Sequence, residues 1–395
     1  MVAVAPFASQ REPSRVLRGR DMLCFGHDWS GDPLSKTHLM RLLARDNRVL
    51  WINSIGYRAP AASARDLRRI VDKLRAAASP VEEVEDNIFV LSPLAIPAYH
   101  VDTFQQVNRE LLRYQVWRAM DRLGFRRVVN WVFNPTAAVV AGALGEDLLV
   151  YYCVDEFTAF SGVPARLREL ERRLLRRADV VIVSSETLHR TKSAHNPRTA
   201  LIRHGVAFDH FRKALAPETP VPEVVKGLPR PVIGYFGLMA KDWFDLDLMV
   251  HVAKHFSSGS MVLLGNGTMD LTRLTALPNV HLLGRKPFAD LPGYAKAFDV
   301  AINPFPLNDV TRSASPLKVR EYLAAGLPVV STRIPEVEVL QQARVADSNE
   351  EIVAAIEEAL RSPGPRAERS ESMRGESWGA RLEEVRRAVA ALGQG

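Results

Sequence analysis

Lys318 and Glu321 stand three residues apart in Ser313-Ala-Ser-Pro-Leu-Lys-Val-Arg-Glu-Tyr-Leu-Ala-Ala-Gly-Leu-Pro-Val-Val330, and that spacing has a chemical use. Ser313 and Ser315 are cap-type residues, and Pro316 suits the first position of a helix. Lys318 then falls in the first turn after Leu317, where a cation opposes the helix dipole and an anionic ligand would offset the penalty. Side chains at i and i+3 share a helix face. An ammonium and helix amides can therefore hold a diphosphate while the carboxylate accepts from both hydroxyls of a ribose. The same spacing also serves a plain surface ion pair. Gly326-Leu-Pro328 ends the segment and starts the next strand.

A second pair of acids follows the apolar run Leu148-Leu-Val-Tyr-Tyr-Cys153, as Asp155 and Glu156. One carboxylate at the end of a buried strand can act as a general base on a hydroxyl, and partial burial beside a like charge raises its pKa toward the useful range. The alternative is that both acids cap the turn before Phe157. Gly26-His27-Asp28-Trp29 follows another strand: His27 could orient a hydroxyl, and Asp28 could equally cap the next helix. Gly265 and Gly267 lie between the strand Met261–Leu264 and a helix, where glycine lets a ligand approach the backbone; any tight strand-to-helix turn also uses glycine.

These residues need strands and helices to position them. The chain has 395 residues, 47% apolar and 25% charged, which suits two or three globular domains and excludes a disordered, collagenous or coiled-coil chain. Strand-length apolar runs occur at Met22–Phe25, Val49–Ile52, Ile88–Leu91, Val128–Val132, Leu148–Cys153, Val180–Val183 and Ala200–Ile202, with helical stretches near 34–45, 64–78, 102–123, 135–144, 164–178 and 186–195 between them. Continuous apolar strands alternating with helices predict a parallel sheet covered on both faces. The proline-rich stretch Ala216–Pro222 breaks the pattern, which resumes with strands at Val232–Phe236, Met261–Leu264, Val280–Leu283, Val300–Ile302 and Val329–Ser331. A last helix is expected from about Ser377, with Trp378, Leu382, Val385, Val389 and Leu392 on one stripe. No apolar run approaches the ~18 residues of a membrane-spanning helix, and Met1–Ala8 lacks the basic start of a signal peptide. Cys24 and Cys153 are too few for a disulfide framework, which suits a reduced cytoplasm. Residues 1–217 carry 32 lysines and arginines against 23 acids, a net of +9, while the remainder carries −2. The basic part points to an anionic partner.

With these elements in place the sequence resembles the GT-B glycosyltransferases of the "glycosyl transferases group 1" type. The matching residues are Pro316-Leu-Lys318, Glu321-Tyr-Leu-Ala-Ala-Gly326, Leu-Pro-Val-Val330, Leu264-Gly-Asn-Gly267, Val280-His-Leu-Leu-Gly284, Phe298-Asp-Val-Ala-Ile-Asn-Pro304, His204-Gly-Val206 and Ser377-Trp378. The resemblance implies an α/β chain of two doubly wound Rossmann-like domains facing a cleft. Residues 1–215 would hold the acceptor and 218–375 a nucleotide sugar, with residues 376–395 forming a helix that packs back on the first domain. It implies that Lys318 and the amides near Ser315 hold the diphosphate, that Glu321 holds ribose, and that backbone near Arg285–Pro287 meets the base. Two departures stand out. Retaining members carry a second acid where this chain has Ser313, and an arginine and lysine after the first strand of the donor domain, where Gly237 to Asp245 offers only Lys241. The Ser-Ala-Ser-Pro-Leu-Lys loop and Asp-Trp-Phe-Asp segment are more similar to bacterial exopolysaccharide and teichuronic-acid enzymes, including the inverting glucuronosyltransferase of xanthan assembly. In that comparison Asp155 matches the base, and the stereochemical class stays open.

The expected reaction is transfer of a sugar from a nucleotide diphosphate sugar, UDP foremost, to a hydroxyl of a glycan or lipid-linked oligosaccharide. The alternatives are a UDP-sugar 2-epimerase of the same fold and a non-catalytic GT-B-like partner protein. No metal or other cofactor is expected, because the lysine and helix amides replace the metal of the other glycosyltransferase fold. Asp245-Leu-Asp247 spells that fold's D-x-D motif but opens a helix, where acids favour the N-terminus. His251 and His255 have zinc-helix spacing without a third ligand. The expected location is cytoplasmic, at or near the inner face of the plasma membrane. A basic amphipathic helix at Ala64–Ala78, with Arg65, Arg68, Arg69, Lys73 and Arg75 around an apolar stripe, is the expected contact with anionic lipid; a surface helix packed on its own sheet reads the same way. The arginines of 166–177 are interleaved with glutamates, as on a solvated face. No nucleic-acid partner is expected, since no recognised module accompanies the charge.

Overall fold

A computed structural model describes residues 16–54, 81–96 and 102–393. Met1–Ala8 and the basic stripe of Ala64–Ala78 lie outside the described residues. With short helices left unlabelled, the first lobe runs β1 (Asp21–Phe25), α1 (Ser35–Leu43), β2 (Arg48–Ile52), β3 (Glu82–Glu85), β4 (Ile88–Leu91), α2 (Asp102–Leu123), β5 (Val128–Val132), β6 (Leu148–Cys153), α3 (Arg166–Arg177), β7 (Val180–Val183), α4 (Glu186–Ser193) and β8 (Thr199–Leu201). The second lobe runs β9 (Val232–Phe236), α5 (Leu246–His255), β10 (Ser260–Leu264), β11 (Val280–Leu282), α6 (Leu291–Ala297), β12 (Val300–Asn303), α7 (Leu317–Ala324), β13 (Val329–Thr332), β14 (Ala343–Ala346) and α8 (Asn349–Arg361). A last helix, α9 (Trp378–Leu392), follows.

Each lobe is one sheet. The first has the order β3-β4-β2-β1-β5-β6-β7-β8 and the second β11-β10-β9-β12-β13-β14. Both switch direction about their first strand, which opens a crevice at the carboxyl ends of the strands beside β1 and β9. The pairings are parallel except between β4 and β3. That edge strand was not expected, because Glu82-Glu-Val-Glu85 has no apolar run to reveal it. It is held by backbone pairing and by Arg41, which grips Glu85 at 2.6 Å, rather than by a core.

The apolar runs bury as their pattern requires. Leu112, Val116 and Met120 of α2, with Leu170 and Leu174 of α3, cover one face of the first sheet. Leu382, Val385 and Val389 of α9 cover the other, against Met22, Val129 and Val150. Ser377 caps α9 by accepting from the Ala380 amide at 3.3 Å. Arg168, Arg172, Arg173, Arg176 and Arg177 of α3 face outward, Arg173 pairing with Glu169 at 3.1 Å. The stretch expected to be helical at 135–144 forms only a short 3-10 turn over Pro135–Val139. Gly142, at φ 77°, interrupts it, and the Glu146 carboxylate takes the amides of Gly142 and Leu144 out of any helical ladder.

Candidate active site

The carboxyl ends of the two sheets face each other across a cleft of about 480 Å3. Its second-lobe wall is the N-terminal turn of α7. Pro316 is the N-cap there rather than the first helical residue, and no side chain caps the helix, so its first amides meet the cleft without an internal partner. Tyr322 fixes α7 to the end of β9, its hydroxyl accepting from the Phe236 amide at 2.8 Å and donating to the Phe236 carbonyl at 3.3 Å. Arg320, fully buried, donates to Ser315 Oγ at 3.2 Å and holds the preceding turn.

Lys318 leaves this turn across the face of Phe305, its Nζ 4.2 Å from the ring centroid. Two glycines make room. A Cβ on Gly237, at φ 146°, would come within 2.8 Å of Lys318 Cε, and one on Gly265, at φ 134°, within 1.9 Å of the Gly237 carbonyl. Burial lowers the Lys318 pKa to about 8, opposed by the charge of Glu321. Burial likewise raises Glu321 to about 8, opposed by Lys318. Burial thus disfavours the charged form of each, a penalty that a ligand of matching charge and hydrogen bonds would relieve.

The first-lobe wall carries Asp155, two residues past Cys153 at the end of β6. Burial raises its pKa to about 6; the charge of Lys36 pulls it down and that of Glu156 pushes it up. Glu156 itself turns away from the cleft. Its carboxylate accepts from Lys192 Nζ at 2.8 Å and from Thr158 at 2.6 Å, and Lys192 bonds Glu171 at 2.9 Å. Burial would raise the Glu156 pKa, but Lys192 and these bonds outweigh it and lower it. The pair of acids is therefore divided: Asp155 is open to the cleft, and Glu156 belongs to a buried ionic network.

Of the residues singled out in the sequence, Asp155, Gly237, Gly265, Arg285, Ser315, Pro316, Leu317, Lys318 and Glu321 line this one cleft. Five others do not. His27 meets the Asp32 carbonyl at 3.1 Å and packs edge-on against Trp51. Glu156 is spent on Lys192, Lys241 is exposed, and Gly267 pairs with Met239. The Ser313 carbonyl accepts from Ser185 Oγ of the first lobe at 2.6 Å. Asp28 does not cap α1, since its carboxylate takes the Ser54 amide. Asp245 caps α5 through the Leu248 amide, Asp247 pairs with Arg273, and His255 pairs with Glu357. Among the described residues, no group of three or more His, Cys, Asp or Glu side chains is set to hold a metal ion.

Lys36, His204 and Trp243 also line the cleft; His204 and Trp243 entered the sequence reading only within the His-Gly-Val and Asp-Trp-Phe-Asp segments, and Lys36 not at all. Lys36 had a signal: Pro33-Leu-Ser-Lys36 echoes Pro316-Leu-Lys318 at the start of a helix. Besides the Ser185–Ser313 bond, further ties join the lobes around the cleft. Arg285 meets Asp32 at 2.7 Å, Ser161 donates to Asp242 at 2.6 Å, and Glu336 accepts from Arg203 at 2.7 Å and from the Glu186 amide at 2.8 Å.

Residues 230–362, which carry α7 and both glycine turns, match the family model described as Glycosyl transferases group 1. The second lobe is a group 1 glycosyltransferase domain. The glycosyltransferase domain and its partner lobe together have the GT-B fold of solved structures that cover nearly the whole chain. The sucrose-phosphate synthase of Thermosynechococcus elongatus superposes with a TM-score of 0.65 at 14% identity, over 93% of this chain and 97% of that one. Anabaena HepE, in complex with UDP, gives 0.62 at 13% identity, over 94% and 99%. In sequence, the chain is 26% identical over 260 residues to TuaH of Bacillus subtilis (strain 168), described as a teichuronic acid biosynthesis glycosyltransferase. That alignment spans 60% of this chain and 65% of the relative, slightly under two thirds of its length. No described helix is long and apolar enough to cross a membrane.

Proposed function

We propose that the protein transfers a sugar from a UDP-sugar to a hydroxyl of a growing, lipid-linked glycan. The observation that carries this reading is that one carboxylate of the first lobe, Asp155, lines the same cleft as Lys318 and Glu321 of the glycosyltransferase domain. The donor's diphosphate lies against the first amides of α7 and Lys318, its ribose hydroxyls bond Glu321, and the base reaches the loop at Arg285. The names of TuaH and of the UDP complex of HepE support the substrate class.

Asp155 removes the acceptor's proton as the acceptor oxygen bonds to the anomeric carbon. The bond from that carbon to the diphosphate oxygen breaks, and UDP leaves with the electron pair, its charge met by Lys318 and the helix amides. A single-base displacement of this kind inverts the anomeric centre, and Ser313 stands where a retaining enzyme has its second acid. Because fixed protein donors meet the leaving charge, turnover should proceed in EDTA, and loss of turnover there would overturn this point. The basic first half of the chain suits an acceptor held at an anionic membrane on the cytoplasmic side.

The test incubates the protein with a panel of UDP-sugars and a lipid-linked oligosaccharide extract, following UDP release and the new linkage by NMR. One UDP-sugar should give a transferred product of inverted configuration. An epimerised UDP-sugar formed without acceptor would replace this reading with that of a 2-epimerase.

A further inference from the structure

The first lobe presents to the cleft the same local device that α7 presents from the second. Pro33-Leu-Ser-Lys36 and Pro316-Leu-Lys318 each place a lysine in the first turn of a helix, and both segments line the one cleft. α1 spans nine residues from Ser35 and has no acid in its first turn, and its N-cap is Leu34, whose side chain makes no capping hydrogen bond. Its first amides therefore lack the usual side-chain acceptor. A cation at that position works against the helix dipole unless an anion is bound there.

Two side chains beside this turn are short of partners. Lys36 makes no hydrogen bond or ion pair to another side chain among the described residues, and burial lowers its pKa, opposed by the charges of Cys24 and Asp155. His204, only 6% exposed, lines the same cleft with its Nδ1 unbonded. Burial, with the charges of Arg320, Arg381 and Lys36 adding to it, lowers the His204 pKa to about 3. Its ring is therefore neutral at working pH and can donate one hydrogen bond. His27, one further group that feels Lys36, is engaged with the Asp32 carbonyl.

We infer that Lys36, the first amides of α1 and His204 form a second oxyanion site, and that it takes a phosphate or carboxylate carried by the acceptor. The acceptor is then an acidic glycan or a sugar phosphate, and its anionic group anchors it while Asp155 faces the hydroxyl to be glycosylated. Lys36 neutralises two negative groups in turn: the acceptor's acid on binding, and Asp155 while it waits as the ionised base. The inference rests on the proposed donor site in one respect, that UDP fills the Lys318 side of the cleft.

The experiment measures UDP binding by calorimetry for the full chain, Lys36→Met and Lys318→Met. Inorganic phosphate is then titrated into each UDP-saturated protein, followed by 31P NMR. The wild type saturated with UDP should bind one further phosphate. Lys36→Met should weaken that binding at least tenfold, leave UDP affinity within twofold, and regain phosphate binding as Lys36→Arg. Phosphate binding equal in the wild type and Lys36→Met, or absent from the UDP-saturated wild type while both proteins bind UDP alike, overturns the inference. Loss of UDP affinity in Lys36→Met to the extent seen in Lys318→Met overturns the acceptor source and gives the site to the donor's distal phosphate. Unchanged UDP affinity in Lys318→Met would fault the donor reading instead, whatever Lys36 does.

Discussion

Replacing Asp155 by Asn separates catalysis from folding, because the proposed base is held at a cost to stability. Burial raises its pKa from 3.8 to about 6. A group whose folded pKa is raised stabilises the fold while protonated, and that contribution is lost as pH rises through the folded value. A shift of about two units corresponds to at most about 3 kcal/mol. The carboxylate opens on the cleft, and solvent screening there reduces the figure to about 1 kcal/mol. Asp155→Asn keeps the shape and cannot ionise, so above pH 7 it should melt about 2 °C higher than the wild type. Near pH 3, below the unfolded value of 3.8, Asp155 is largely neutral in both states and the two should melt together. Transfer at pH 8 should fall about 100-fold or more while UDP affinity stays within twofold. The assay is a pair of melting curves at the two pH values, with UDP calorimetry and product formation alongside. A variant that melts lower at pH 8, or transfers within a few-fold of the wild type, would refute both the buried-carboxylate argument and the base assignment.

Four other expectations follow from the same geometry. Lys318→Met should cost UDP about 1.5–3 kcal/mol, the range of a hydrogen bond to a charged group, and leave uridine affinity unchanged by calorimetry; equal loss for both ligands would mean general damage. UDP affinity of the wild type should fall as pH rises through about 8, where Lys318 loses its proton. Glu321→Ala should abolish the preference for UDP over its 2′-deoxy analogue, measured in a competition assay. Glu171→Ala leaves Lys192 with only Glu156 and the Tyr151 hydroxyl without its acceptor; urea unfolding should show a loss of about 3–5 kcal/mol.

The parts of this molecule that could be read from the chain are those whose information is local. Each buried strand is a continuous apolar run, so the alternation and the last helix were visible. Lys318 and Glu321 are brought together by a single helix, and their spacing alone sets their shared face. What escaped depends on contacts between distant segments. Asp155 and Glu156 are neighbours with identical chemistry, and only the approach of Lys192 from α4 decides that one is spent and the other open. The backbone near Arg285–Pro287 was expected to meet a nucleotide base; Arg285 lines the cleft, and its side chain also reaches Asp32 across the lobes, a partner 253 residues away. Lys36 lies in the first turn of α1, and only the placement of that loop at the cleft brings it opposite α7. The edge strand β3 had no apolar pattern because it has almost no core to face.

A crystal structure of the full chain with UDP tests the central claim most directly. The diphosphate should lie at the N-terminal turn of α7, about 3 Å from Lys318 Nζ, with both ribose hydroxyls on the Glu321 carboxylate and Asp155 facing the vacant end of the nucleotide. UDP bound at any other surface, or in this cleft with its phosphates turned away from Lys318, would contradict the account.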